Sequence, residues 1–284
     1  MDTLKAFFSF IRDNSTEGSN LPGSYVRALK YTTELLRSTM PQYAQLEPLW
    51  EISSLDKLAE IYKCIKDEEH KKGTSVFETT SIPKSYWKQR FCSSAIRMFA
   101  RFITESKSVK EAETIFTATD EPNVVASTIS KCKVNPLFYL DDDVAANSKE
   151  GREVLRNVKA RQNQAAFRRI VLLNYGFACC ATGLPVRDVL RASHIVGWAE
   201  NAKTRLLPTN GLCLAATYDA AFDRHLITFD EDCRMILSPS LGEYCTNSAF
   251  NTCFKSFEGK RLLPAVKFQP SQEFLAYHRE RLVK

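Results

Sequence analysis

At 284 residues the chain exceeds the usual size of one domain, so two domains are expected. Its 44% hydrophobic content suffices for buried cores, and no run approaches the ~18 uncharged apolar residues of a membrane span, so no membrane partner is expected. The net charge of +6 is unevenly spread: residues 1–150 hold 20 Lys+Arg against 21 Asp+Glu, whereas residues 151–284 hold 19 against 12.

The N-terminal stretch MDTLKAFFSFIRDN has neither a basic leader nor a small-residue cleavage site. It reads as a first amphipathic helix, and a cytoplasmic location is the expectation. Residues 1–104 read as an all-helical domain. Tyr25, Ala28, Leu29, Thr32, Leu35 and Leu36 recur at three- and four-residue steps, with Pro22-Gly23 before the helix, Ser24 as its cap and Pro41 beyond its end. A second helix is predicted from Ser54 to about Asp67. A third is predicted over Lys84–Phe102, with Trp87, Phe91, Ala95, Phe99 and Phe102 facing inward. Residues 105–148 have weak periodicity and read as either a linker or a small subdomain, within which Val134–Leu140 is a candidate strand.

The C-terminal domain is expected to run over 149–284. It opens on a basic helix, Lys149 to Tyr175, in which Arg152, Arg156, Lys159, Arg161, Arg168 and Arg169 face one acid, Glu153. These cations could contact a phosphate backbone or form an ordinary solvated helix face. A strand Val189–Ile195 carries His194. An Asn-Gly turn at Asn210-Gly211 leads into a second strand to Ala215, and a helix Thr217–Arg224 carries Asp219 and Asp223 one turn apart. A hairpin of Leu226–Phe229 and Arg234–Leu237 follows. The cysteines show no CxxC pair, which signals neither a disulfide framework nor a zinc knuckle; Cys179, Cys180, Cys213 and Cys233 could be imagined converging on a zinc, but buried free thiols are the expectation for them.

ASHI, followed by NGLCL and then YDAAFD, resembles the HNH (ββα-metal) endonuclease family, and restriction-type members in particular. The likeness extends upstream to Arg161, Gln164, Phe167, Arg168, Tyr175 and CCATG, and downstream to LAYHRERL at 275–282, so it covers about residues 150–284. The resemblance implies an α+β fold, with the helical N-terminal domain followed by a ββα-metal nuclease domain. It implies His194 as general base, and Asn210 as the residue that braces the loop and the histidine. It implies Asp219 and Asp223 as ligands of one hard cation, Mg²⁺ or Mn²⁺. The position before the histidine, often a metal ligand in relatives, is Ser193, a weaker oxygen donor. Arg161, Arg168, Arg169, Arg205, Arg224 and His225 are candidate contacts to double-stranded DNA. The products implied are 5′-phosphate and 3′-hydroxyl ends.

The reading is therefore a metal-dependent DNA endonuclease of restriction or defence type. Cleavage of both strands of a palindrome would favour a homodimer. The alternative is a catalytically impaired DNA-binding or adaptor protein on the same scaffold, motivated by Ser193.

Overall fold

The computed structural model describes residues 2–16, 18–71, 73–131, 133–141 and 144–284. The chain divides into two compact units, residues 1–107 with 134–158, and residues 108–133 with 159–284. The observed boundaries differ from the expected ones. The stretch 105–148 is shared between the two units, because its apolar residues pack into two separate cores.

The first unit is helical. Helix α1 (Thr3–Asp13) starts at Asp2, whose carboxylate accepts from Leu4 N, and buries Phe7 and Ile11. Helix α2 (Leu21–Thr39) begins earlier than expected, with Pro22 in its first turn, where a missing N–H costs nothing. It buries Ala28, Leu29, Thr32, Leu35 and Leu36 of the predicted stripe and leaves Tyr25 half-buried. Helix α3 (Leu55–His70) is capped by Ser54, which accepts from Lys57 N, and buries Leu58, Ile61, Tyr62 and Ile65.

The single helix expected over Lys84–Phe102 is two. Helix α4 (Lys84–Lys88) ends at a break where Arg90 takes φ 58°, and α5 (Phe91–Ala118) follows. Phe7 and Phe99 meet edge to face at 5.2 Å inside this core, and Phe77 stacks on Trp87 at 5.7 Å. The candidate strand at 134–140 is instead a 3₁₀ turn, Pro136–Phe138, capped by Asn135. Pro136 has no N–H to give to a sheet. Arg97 and Arg101 both donate to the Phe138 carbonyl, at 3.1 and 2.7 Å, and fix this turn on the core.

The second unit contains α6 (Pro122–Ser130) and most of α7 (Lys149–Asn174), then β1 (Leu190–His194) and β2 (Gly211–Ala215). Helix α8 (Ala216–Asp223), strands β3 (Ile227–Phe229) and β4 (Met235–Leu237), α9 (Ser248–Cys253) and α10 (Gln272–Arg279) complete it. Strands β1 and β2 pair antiparallel with Ser193 opposite Leu212 and His194 opposite Gly211; β3 and β4 form a separate hairpin. The strand–strand–helix order expected around His194 is present, and the fold is α+β. The core gathers Phe167, Ile170, Val171, Leu190, Leu212, Leu214, Phe222 and Phe229, with Phe116, Val125 and Ile129 contributed by the 108–133 segment. No helix among the described residues is long and apolar enough to cross a membrane.

Candidate active site

The site starts from a close approach. Gly211 opens β2 in extended geometry at φ −128°, and it is not the second residue of a turn; Asn210 before it ends a 3₁₀ turn, Pro208–Asn210. A Cβ on Gly211 would meet Val171 Cγ2 at 2.4 Å and Phe167 Cζ at 2.9 Å. Glycine here lets α7 lie directly against the strand opposite His194.

That approach seats the histidine. Its ring stacks on Phe167 with centroids 4.1 Å apart and meets Trp198 edge-on at 5.5 Å. His194 Nε2 donates to the Arg205 carbonyl at 2.9 Å, an assignment that leaves Nδ1 as the unprotonated nitrogen of the neutral ring. Burial lowers the His194 pKa from its ordinary value, against the raising influence of that bond, so the ring is neutral at physiological pH.

Asn210 is fully buried and spends its amide on the intervening loop. Its Oδ1 accepts from Val196 N at 2.8 Å, while its Nδ2 donates to the carbonyls of Val196 and Thr204 at 3.1 and 3.2 Å. Its own carbonyl accepts from Ile195 N at 3.0 Å. A second tie comes from α10: Tyr277 Oη donates to Glu200 at 2.6 Å, with Arg281 3.4 Å from the same carboxylate. The LAYHRERL segment thus holds the loop that carries Trp198 and Arg205.

The acids come from α8. Asp219 lies in its first turn and Asp223 at its end, one turn apart. Ser193 is 2% exposed, and its hydroxyl donates to Asp219 Oδ1 in a close hydrogen bond. The Asp223 carboxyl is held above the usual range, first by partial burial and then by the Asp219 charge. The two neighbouring carboxylates offer oxygen donors at one cleft. Among the described residues no group of three His, Cys, Asp or Glu side chains could hold a metal. A hydrated hard cation needs fewer, since Mg²⁺ commonly binds through one or two carboxylates plus substrate phosphate. The donor set therefore fits Mg²⁺ or Mn²⁺ with oxygen ligands.

Ser193, His194, Asp219 and Asp223 line one cleft of about 640 Å³ together with Gln164, Phe167, Arg168, Arg191 and Trp198. Arg168 donates to the Leu190 carbonyl at 2.9 Å. Burial and the adjacent Arg191 both lower its pKa, so two guanidinium groups face the cleft at some electrostatic cost that an anion would relieve.

The remaining sequence candidates do not line the cleft. Arg169 pairs with Glu113 and lies over the Phe177 ring at 4.8 Å; one step along α7 from Arg168 turns it about 100° away. His225 closes α8. At φ 54° its N–H donates to the Phe222 carbonyl at 2.8 Å, while Leu226 N bonds Ala221, a Schellman arrangement with histidine where glycine is usual. Its Nδ1 faces Nε2 of the buried His278 at 3.1 Å. Arg224 is exposed and donates to Ala220 on its own helix. Arg161 is exposed on α7. Arg205 lays its guanidinium over Trp198 at 4.9 Å, accepts the His194 Nε2 hydrogen bond on its carbonyl, and lowers the His194 pKa through its charge.

Sequence reasoning did not single out Trp198 and Arg191. Arg191 lies two residues before Ser193 on the same strand, a period-2 signal that was available. Trp198 follows the strand on a loop whose path is set by Asn210, which no local periodicity encodes. Residues 179–230 match a family model described as HNH endonuclease. No curated protein matches the chain.

Proposed function

We propose, from the match of residues 179–230 to a family model described as HNH endonuclease, that the chain is a divalent-metal-dependent DNA endonuclease of restriction or defence type. The observation that carries this reading is the single cleft in which a neutral histidine, two carboxylates and two guanidinium groups converge.

In this reading His194 Nδ1 takes the proton of the attacking water, and the Arg205 carbonyl holds the ring in the required tautomer. Arg168 and Arg191 draw the phosphate into the cleft, and Asn210 keeps the loop closed around the histidine. Asp219 and Asp223 hold the cation. When bound, Mg²⁺ or Mn²⁺ would polarise the scissile phosphate and stabilise charge on the departing oxygen. Two copies of the chain would serve a palindromic duplex, one for each strand.

A supercoiled plasmid tests the proposal. Nicking is expected with Mg²⁺ or Mn²⁺ and none with EDTA. His194→Ala should lower the cleavage rate by about 10²–10⁴-fold while leaving plasmid binding in a gel-shift assay unchanged. Undiminished cleavage by that variant would remove His194 from the mechanism. A second reading, a DNA-binding or adaptor protein without catalysis, is motivated by the two-carboxylate donor set and by the bond that occupies Ser193. It predicts plasmid binding with no metal-dependent nicking.

A further inference from the structure

The residue before the base histidine is a serine that packing has immobilised. Ser193 pairs with Leu212 across β1 and β2, is 2% exposed, and gives its hydroxyl proton to Asp219 Oδ1. An aspartate carboxylate otherwise turns freely about its last bond, because that sp³–sp² torsion has broad minima. Its orientation matters more when few donors share the work, and here two carboxylates on α8 are the acids facing the cleft.

We propose that Ser193 is a positioning residue for cation binding: its hydroxyl orients Asp219, so that the second Asp219 oxygen and Asp223 form a two-acid grip completed by substrate phosphate. The inference rests on the metal-dependent reading above. The serine acts through Asp219, and its donated proton marks it as a partner of the carboxylate. A hydrogen bond to a ligating carboxylate commonly carries about 10–100-fold in metal affinity. The α8 frame supports the same division of labour. Asp219 is half-buried and within reach of β1, whereas Asp223 lies at the helix end and lines the same cleft.

The test uses the full chain and Mn²⁺, whose free concentration is read by electron paramagnetic resonance without any DNA present. Ser193→Ala should weaken Mn²⁺ binding roughly 10-fold, and Ser193→Thr, which keeps the hydroxyl, should restore it. In the plasmid assay the Mn²⁺ needed for half-maximal nicking should rise by the same factor in S193A. Asp219→Asn and the double variant complete a cycle. Losses that are less than additive are expected if Ser193 works through Asp219, and fully additive losses would make it an independent ligand and overturn the proposal. Equal Mn²⁺ affinity for wild type and S193A, or no Mn²⁺ binding by wild type, would also overturn it. If wild type binds Mn²⁺ yet leaves every plasmid intact, the nuclease reading fails, and the binding comparison still decides the role of Ser193.

Discussion

His194 is tuned first by burial, and then in opposite directions by the carbonyl and by the charge of Arg205. Phe167 covers one face, the Arg205 carbonyl takes the Nε2 proton, and burial keeps the ring neutral. The geometry therefore depends on the loop between β1 and β2, and at the scale of single residues Asn210 is its most consequential member. Asn210→Ala would strand the Val196 N–H and two carbonyls in a buried setting, at a cost of about 2–4 kcal/mol. Chemical denaturation should show that loss, and nicking should fall further than stability alone explains because the Arg205 carbonyl moves with the loop. That His194, Asp219 and Asp223 line one cleft and that Asn210 braces the loop could be anticipated, because the four lie within thirty residues of one another in a motif of fixed spacing. The difference between Arg168 and Arg169 could not. The two are adjacent and chemically identical, and Arg169 is withdrawn by Glu113, 56 positions away.

Among the elements, α7 and β2 depend on each other. The sequence offered Asn-Gly as a turn, the commonest local reason for that pair. The structure uses the glycine for its missing side chain, and its φ lies where any residue can go. Gly211→Ala should consequently cost about 1–3 kcal/mol through overpacking, with no backbone strain involved. Phe167 is one of the two side chains that the new methyl would displace, and it carries His194 on its face. Cleavage by G211A should drop while Mn²⁺ affinity holds, a combination that separates displacement of the base from damage to the acids. In the same way the break between α4 and α5 at Arg90 interrupts a helical apolar pattern that is continuous in sequence. The periodicity of Trp87, Phe91 and Ala95 fits both the broken and the unbroken helix.

For the molecule as a whole, the boundary that matters falls inside the stretch that sequence reading treated as a connection. Residues 108–133 supply Ala112, Phe116, Val125 and Ile129 to the core around the candidate site. Glu113 pairs with Arg169, and Lys267 donates to the Phe116 carbonyl at 2.7 Å and pairs with Asp120 at 3.1 Å. A fragment 149–284 loses all of these. It is expected to bind a hydrophobic dye and to melt without a cooperative transition, whereas 108–284 should melt cooperatively. Equal cooperativity of the two fragments would show that the segment is dispensable.

The sequence by itself determined the local order of the site: a strand carrying His194, a strand after Asn210, and a helix presenting Asp219 and Asp223 on one side. Those features follow from periods of 2 and 3.6 residues and from a motif confined to a short stretch of chain. Only the tertiary structure decided which arginines face the cleft, that His225 ends a helix, that Ser193 gives its proton to Asp219, and that Gly211 yields space to α7. Each of those outcomes depends on which distant side chain arrives as a neighbour. That is a property of packing in three dimensions, and residues with the same local pattern can meet different partners there.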